Sequence, residues 1–328
     1  MAAIVLVVAG LTVGLRVSQA PAAPAHPGPL RPGAGPMTAV DQNDVGDPFI
    51  LTVSSGGATT YYRFGTTDHS SNVPAATSSD LVHWSYLPDA LPDPPAWAAR
   101  TLWMTWAPAT LRVAGGYVLY FTTQEALSGL QCIGRAWSSR PEGPYRDDSA
   151  GPLVCQRAEG GSIDASVVTT ASGAHSLLWK NDGNSSGLPD ALWSQSLAGD
   201  GLAVSGPLHR LLGAGVAWEQ GVVEGPAMVA ASQGGYWLFF SGGNWRSEAY
   251  QTGLAWCPTV SGPCQETSDH PWLATSPDLL APGGLEVFSD AQGHPWVALS
   301  SFVVVESTRH PGHFFHNRVL DVARLVVR

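Results

Sequence analysis

A short, aromatic-rich apolar string recurs five times along the chain at nearly even spacing. It reads YYRFGT from residue 61, and equivalent strings begin at residues 117, 175, 236 and 295, at intervals of 56 to 61 residues. A glycine-containing turn precedes each string, and another apolar segment, such as DPFILTV or EGPAMVAA, precedes each turn. Two extended segments joined by such a turn predict a β-hairpin. A third apolar segment follows in most units, so each unit predicts several antiparallel strands.

The five units, each about 59 residues long, contain no helical periodicity of useful length. A four-stranded sheet cannot bury both of its faces alone, whereas such sheets packed radially around a channel bury them against each other. We therefore predict an all-β fold, a five-bladed β-propeller with four-stranded antiparallel blades, in which the first strand of each blade is innermost. A stacked β-helix is excluded because its repeats are much shorter.

The N-terminal segment has the pattern of an export signal. Residues 2–15 are uncharged and mostly apolar, which is too short for a membrane span but typical of a signal-peptide core. Ala20 and Ala25 offer small-residue cleavage sites, and the segment after them is rich in Pro, Ala and Gly. We predict a signal peptide at 1–25, a flexible linker at 26–38, a catalytic propeller at 39–328, and a secreted, extracellular protein.

Composition narrows the choice of partners. Hydrophobic residues make up 44% of the chain, which supplies a sizeable core, and the net charge is −10 with only 16 Lys and Arg. Nucleic-acid binding needs clustered cations, so this class is excluded. No segment after the signal is long enough for a membrane helix, and we expect a monomer.

Four cysteines in an exported chain predict two disulfides, with three pairings possible. The local pairing joins Cys132 to Cys155 and Cys257 to Cys264. Zinc is a poor alternative, because no CxxC pair or HxxxH spacing accompanies these cysteines.

One position in the repeat is rich in acids. The first residues of the five predicted innermost strands lie 58 to 60 residues apart, and they are Asp47, Trp106, Asp164, Glu224 and Gly284. In equivalent blades they would ring the mouth of the channel, where three carboxylates cost repulsion and desolvation. Each acid alone is explained as a turn residue, but their common phase favours function. Glycosidic-bond hydrolysis needs such a set, because one carboxylic acid protonates the leaving oxygen while a carboxylate activates water.

These residues stand in a series of motifs that resembles a known family. The strings GDPFIL, SSDLVHW, WAPATL, SSRPEGPY, GSIDASVV, VVEGPAMV, YWLFFSGG and APGG occur in this order between residues 44 and 302. Together they resemble glycoside hydrolase family 43, the five-bladed arabinosidases and xylosidases.

The resemblance implies roles for the three acids. Asp47 would be the general base, Glu224 the general acid, and Asp164 the residue that modulates the pKa of the acid and orients it, with inversion at the anomeric carbon. Trp106 would lie near the bound sugar, with Phe64 as an apolar wall. The residues themselves add Tyr250 and the neighbouring Asn244-Trp245 pair as contacts on the leaving-group side. Lys180, Asn181 and Asp182 either contact the sugar or only form a turn.

The fifth blade departs from the family pattern. Many members carry a Gly-Pro-Gly-His motif there, and its histidine helps to hold a metal ion and its waters in the channel. Here the string is APGG, and Gly284 takes the position of the histidine. The ten histidines, including those of HPGHFFH, form no better ligand set. We therefore assign no metal ligands and no cofactor.

The sequence thus predicts a secreted, inverting glycosidase that acts on plant cell-wall glycans of the arabinan, arabinoxylan or xylan type. An exo-acting α-L-arabinofuranosidase or β-xylosidase is the first hypothesis. An endo-1,5-α-L-arabinanase and a non-catalytic carbohydrate-binding propeller remain open. So does a retaining relative of levansucrases and invertases, which would use a closer carboxylate pair.

Overall fold

The computed structural model describes residues 31–32, 37–41, 43–68, 70–100, 104–306 and 314–326. Within these ranges the regular secondary structure consists of β-strands and three 3₁₀ helices, at Arg157–Glu159, Asn184–Ser186 and Ala217–Glu219. The strands are β1 Arg31–Pro32, β2 Thr38–Asp41, β3 Phe49–Ser55, β4 Ala58–Phe64, β5 Ala75–Ser78, β6 Ser85–Tyr86, β7 Trp106–Val113, β8 Gly116–Gln124, β9 Gln131–Ser138, β10 Ile163–Thr169, β11 His175–Lys180, β12 Ala191–Leu197, β13 Val204–Gly213, β14 Val223–Ala230, β15 Tyr236–Gly242, β16 Gln251–Cys257, β17 Gln265–Glu266, β18 Leu280–Ser289, β19 Pro295–Glu306 and β20 Phe314–Val326.

The strands form five antiparallel sheets, one for each unit of the sequence repeat. Blade 1 is β3–β6, blade 3 is β10–β13 and blade 4 is β14–β17, each with four strands in sequence order. Blade 2 contains β7–β9, and isolated bridges from Val154 and Arg146 to β9 extend its outer edge. Blade 5 contains β18–β20, and both β1 and β2 pair with β20. The predicted five-bladed propeller is confirmed.

The innermost strands close a ring, because β3, β7, β10, β14 and β18 each contact the next and β18 returns to β3. The segment before blade 1 completes the closure, since Pro32 pairs with Leu325 and Thr38 with Val322. Part of the predicted linker is therefore strand. The predicted signal peptide lies outside the described residues, and its boundary stays a prediction.

The hydrophobic core lies between neighbouring blades. Phe64 of blade 1 shares a cluster with Phe121 of blade 2, and Trp179 of blade 3 packs with Tyr120 of blade 2. Trp237 of blade 4 belongs to a cluster that reaches into blade 5. Alternate residues of a strand point to opposite faces, so each blade supplies apolar side chains to both neighbours. The aromatic strings of the sequence are therefore mainly core.

Both predicted disulfides are present, Cys132–Cys155 and Cys257–Cys264, and no cysteine is left free. Two disulfides agree with an extracellular protein. Over the described ranges, we find no helix with the length and apolar character needed to cross a membrane.

Candidate active site

A left-handed residue stands at or near the start of every innermost strand. The five are Asp47, Ala107, Asp164, Gly225 and Gly284, with φ angles of +47°, +41°, +58°, +56° and +59°. For a residue with a side chain this conformation costs about 1–2 kcal/mol, and such strain is concentrated at functional sites. The sequence predicts that Trp106 and Glu224 are equivalent to the other three strand-start residues. The structure corrects this prediction, because Trp106 and Glu224 lie one residue before the left-handed position of their blades.

Two cavities meet at this ring. The larger, of about 520 Å³, is lined by Asp47, Trp106, Asp164 and Glu224. The smaller, of about 30 Å³, continues into the central channel and is lined by Asp47, Asp164 and the backbone around Gly284. Because Glu224 precedes the left-handed residue, it contributes to the larger cavity alone. The three predicted acids therefore converge from blades 1, 3 and 4. Asp47 and Asp164 occupy the left-handed position of their blades, whereas Glu224 precedes that position by one residue.

Asp47 is held by a hydroxyl group and faces a cation. Its Oδ2 accepts a hydrogen bond from Thr66 Oγ1 at 2.5 Å. Burial raises the pKa of Asp47, while the charge of Arg318 and the Thr66 hydrogen bond oppose this rise. Arg318, from β20, pairs with Asp44 through Nε at 2.9 Å and lines the larger cavity. Gly46 leaves the space for it, because a Cβ there would lie 1.9 Å from Arg318 Nη1.

Asp164 is partly buried and is repelled by both of the other acids. Burial, followed by repulsion from Glu224 and Asp47, raises its pKa well above the ordinary range. Its Oδ2 accepts a hydrogen bond from the backbone N–H of Gly225 at 3.0 Å, next to Glu224. This carboxyl group is therefore fixed against the strand start that carries Glu224.

Glu224 contacts a buried lysine. Its Oε2 accepts a hydrogen bond from Lys180 Nζ at 3.0 Å, and its side chain is 12% exposed. Lys180 also forms an ion pair with Asp190 at 3.2 Å. Neither Lys180 nor Asp190 was predicted as a partner of the acid.

Trp106 and Tyr250 lie where the sequence prediction expects them, in the wall of the larger cavity. Burial raises the pKa of Tyr250 well above its ordinary value, and the charges of Glu224 and Asp47 add to the effect. Trp245 also lines this cavity, and it is 46% exposed with the Arg246 guanidinium 4.8 Å from its ring centre.

Two of the predicted substrate-contacting residues, Phe64 and Asn181, do not line the larger cavity. Phe64 is fully buried and meets the edge of the Tyr145 ring in the core, so it forms no wall of the cavity. Asn181 is also buried, and its amide oxygen accepts hydrogen bonds from the Ala191 N–H and the Trp193 indole. Its amide nitrogen donates to two backbone carbonyls. Asn181 therefore closes the loop of blade 3 rather than contacting the cavity, whereas Lys180 and Asp182 do line it.

The channel position at which many family members carry a metal-holding histidine is occupied here by Gly284. Gly284 offers no ligand atom at the position of the imidazole, and the carboxyl group of Glu286 lines the channel nearby. Ser166 Oγ donates to Glu286 Oε1 at 3.1 Å, and burial raises the pKa of Glu286 to about 8. A bound proton thus neutralises this group below that pH, and we assign no step to a metal.

Comparison with known proteins agrees with the geometry. The family model described as glycosyl hydrolases family 43 matches residues 38–320. A thermostable family-43 glycoside hydrolase superposes with a TM-score of 0.73 at 22% identity, covering 87% of this chain and 91% of that one. An endo-1,4-beta-xylanase from Bacteroides thetaiotaomicron gives a TM-score of 0.69 at 22% identity, covering 89% and 94%.

An alpha-L-arabinofuranosidase from Lactobacillus brevis gives a TM-score of 0.65 at 16% identity, covering 86% of this chain and 90% of that one. No curated protein matches the sequence. At these identities the superpositions show the fold, whereas the family match spans most of the chain. Both the match and the convergent acids lead to one conclusion: the chain belongs to glycoside hydrolase family 43.

Proposed function

We propose that the protein is a secreted, inverting exo-glycosidase of the α-L-arabinofuranosidase or β-xylosidase type, acting on arabinan, arabinoxylan or xylan. The observation that carries the proposal is the convergence of Asp47, Asp164 and Glu224 in one cavity large enough for a sugar. All three acids are retained, which argues against a propeller that only binds carbohydrate.

The environments of the acids support a division of labour. Asp47, next to the cation of Arg318, would take a proton from the attacking water, and Glu224 would give a proton to the leaving oxygen. Asp164 would orient Glu224 through the Gly225 N–H, in the modulating role that the family resemblance implies. Trp106 and Tyr250 would contact the sugar in the cavity, and the exposed Trp245 would provide a stacking face on the leaving-group side.

The role of Glu224 is tested by Glu224→Gln with two classes of substrate. Loss of general acid catalysis typically costs 10²- to 10⁴-fold. We expect such a loss in kcat/KM on natural oligosaccharides, and far less on aryl glycosides whose acidic leaving groups need little protonation. Glu286→Gln is the matched control in the channel and should show no such selectivity. An equal loss on both substrate classes would show that Glu224 is not the acid.

The stereochemistry is tested by NMR of the first-formed product. An inverted anomer is expected if Asp47 acts through water, and Asp47→Asn should abolish activity on both substrate classes. Retention of the anomer would refute the water-based mechanism and favour a covalent nucleophile.

The substrate and the location are tested separately. A panel of arabinofuranosyl, xylosyl and galactosyl aryl glycosides, with linear arabinan and xylan, distinguishes the exo hypothesis from an endo-arabinanase. Mass spectrometry of protein from the culture medium should find a mature N-terminus shortly after Ala20 or Ala25. Size-exclusion chromatography with light scattering tests the expected monomer.

A further inference from the structure

Lys180 interrupts a pattern that the other four blades share. The last residue of each recurring aromatic string is a hydroxyl residue in blades 1, 2, 4 and 5, and a lysine in blade 3. The five residues are Thr66, Thr122, Lys180, Ser241 and Ser300.

In three blades this hydroxyl has a shared structural task. The oxygens of Thr66, Thr122 and Ser241 accept hydrogen bonds from the left-handed residue of the next blade, at 3.0, 3.2 and 2.9 Å. In blade 3 the lysine does not do this, and the N–H of Gly225 is bound by Asp164 Oδ2 instead. The exception therefore lies between the two blades that supply Asp164 and Glu224.

Lys180 forms two hydrogen bonds and an ion pair. It is completely buried, and its ammonium nitrogen lies 2.8 Å from Asn184 Oδ1, 3.0 Å from Glu224 Oε2 and 3.2 Å from Asp190 Oδ2. Two of the three N–H donors of the ammonium group therefore have hydrogen-bond acceptors, and the contact with Asp190 is an ion pair. Asp190 is buried as well, and its other oxygen, Oδ1, accepts a hydrogen bond from the Asn184 N–H at 2.8 Å. The ammonium position is thus fixed independently of Glu224.

We propose that Lys180 is a positioning residue that selects which oxygen of Glu224 carries the catalytic proton. This inference rests on the proposed role of Glu224 as general acid. Because Lys180 has only donors to offer, Oε2 must remain an acceptor, and the proton is placed on Oε1. In the reaction this proton passes to the glycosidic oxygen as its bond to the anomeric carbon breaks, while the attacking water loses a proton to Asp47.

The same contact stabilises the state that follows proton transfer. Once Oε1 has lost its proton, Glu224 is an anion, and its hydrogen bond to the ammonium group becomes charge-assisted on both sides. An interaction that strengthens along the reaction lowers the barrier rather than only the energy of the bound state. Lys180 therefore fixes the position of the Glu224 proton and stabilises the Glu224 anion, and it acts on the reaction only through Glu224.

The charged and titratable groups around Glu224 define the expected pH effects. They come from blades 1, 3 and 4 and are Asp47, Asp164, Lys180, Asp182, Asp190 and Tyr250. Lys180 is the cation that contacts Glu224 directly, while Arg246 and Arg318 line the same cavity. Its removal should move the alkaline limb of the kcat/KM profile to higher pH. Asp190→Asn removes an anion instead and should move that limb to lower pH.

The test compares Lys180→Met with Glu224→Gln on the two substrate classes used for the acid. We expect Lys180→Met to lose about 100-fold in kcat/KM on natural oligosaccharides, the typical cost of a misplaced catalytic group. On aryl glycosides with acidic leaving groups the loss should be under about tenfold. A residue that only supported the fold would lower both activities together and would leave the pH profile in place.

A second variant covers the case in which Lys180→Met does not fold. The single change leaves Asp190 buried without its cation, which is strongly destabilising. The double variant Lys180→Met/Asp190→Asn removes both charges, so it should fold while keeping the same leaving-group selectivity.

The outcomes separate the two proposals. Selectivity in Glu224→Gln but a uniform loss in both lysine variants would overturn the role of Lys180 and leave that of Glu224 intact. Absence of selectivity in Glu224→Gln would overturn the proposed acid, and the inference about Lys180 with it.

Discussion

Gly284→Ala is expected to impair the enzyme through Asp47. The glycine has φ of +59°, and a Cβ there would lie 2.9 Å from Asp47 Oδ1 and 3.4 Å from Asp47 Cα. Non-bonded atoms prefer separations of about 3.5–4.0 Å, so the carboxylate must retreat by about 0.5 Å. Misplacement by about 1 Å costs on the order of 100-fold in rate. We therefore expect about a tenfold loss of kcat/KM.

The chain contains a matched control for backbone strain. Gly56, in the turn of blade 1, has the same φ of +59° and no neighbouring atom within 4 Å of its would-be Cβ. In the left-handed region an alanine costs about 1 kcal/mol relative to glycine, which corresponds to a fall in Tm of about 3 °C in a domain of this size. Gly56→Ala should show this fall with full activity.

Activity and thermal unfolding are measured on both variants side by side. The reasoning is refuted if Gly284→Ala retains kcat/KM within about twofold of Gly56→Ala, because the contact with Asp47 would then have no consequence for the reaction.

Two further predictions concern stability. The pKa of Glu286 is raised by burial from 4.5 to about 8, so between these values the unfolded chain releases a proton that the folded protein keeps, and stability falls as pH rises by about 1.4 kcal/mol per unit. Urea unfolding at pH 5 and 7 should show that Glu286→Gln loses roughly 2 to 3 kcal/mol less than the wild type, and equal losses would contradict the assignment. The two disulfides close loops with sequence separations of 23 and 7. Replacing each cysteine pair by serine should cost about 3.4 and 2.5 kcal/mol respectively, and the reverse order in chemical unfolding would contradict the loop-entropy argument.

The sequence was sufficient for the fold and for the three acids because a repeat converts spacing along the chain into symmetry around an axis. The predicted set of equivalent strand-start residues was wrong by one position at Trp106 and Glu224. Spacing along the sequence aligns the motifs of the five blades, whereas the φ angles show which residues occupy equivalent backbone positions.

The direction of a side chain was harder to predict than its position in the repeat. Phe64 belongs to the same aromatic string as the core residues of the other blades, and the alternation of the strand turns it between blades 1 and 2. Asn181 lies in a polar stretch typical of a ligand-binding loop, yet its amide group forms hydrogen bonds with backbone groups of its own loop. Polar type alone does not tell these two uses of an amide apart.

The two cationic partners of the acids differ in whether the sequence alone could have revealed them. The lysine at the end of the third aromatic string could have been found, since the other four strings end in Ser or Thr. Arg318 could not, because it lies outside the motifs and more than 250 residues after Asp47. Only the closing of the ring brings its guanidinium to Asp44 and Asp47.

That closure has a consequence for biosynthesis. β20 joins β1 and β2, and Arg318 on β20 faces Asp47, the first of the three candidate catalytic acids. During synthesis, a chain that has not yet released β20 from the ribosome has its three carboxylates but lacks the cation beside Asp47. The nascent protein should therefore be unable to hydrolyse glycans, and competence should arise in one step when the two ends of the propeller meet.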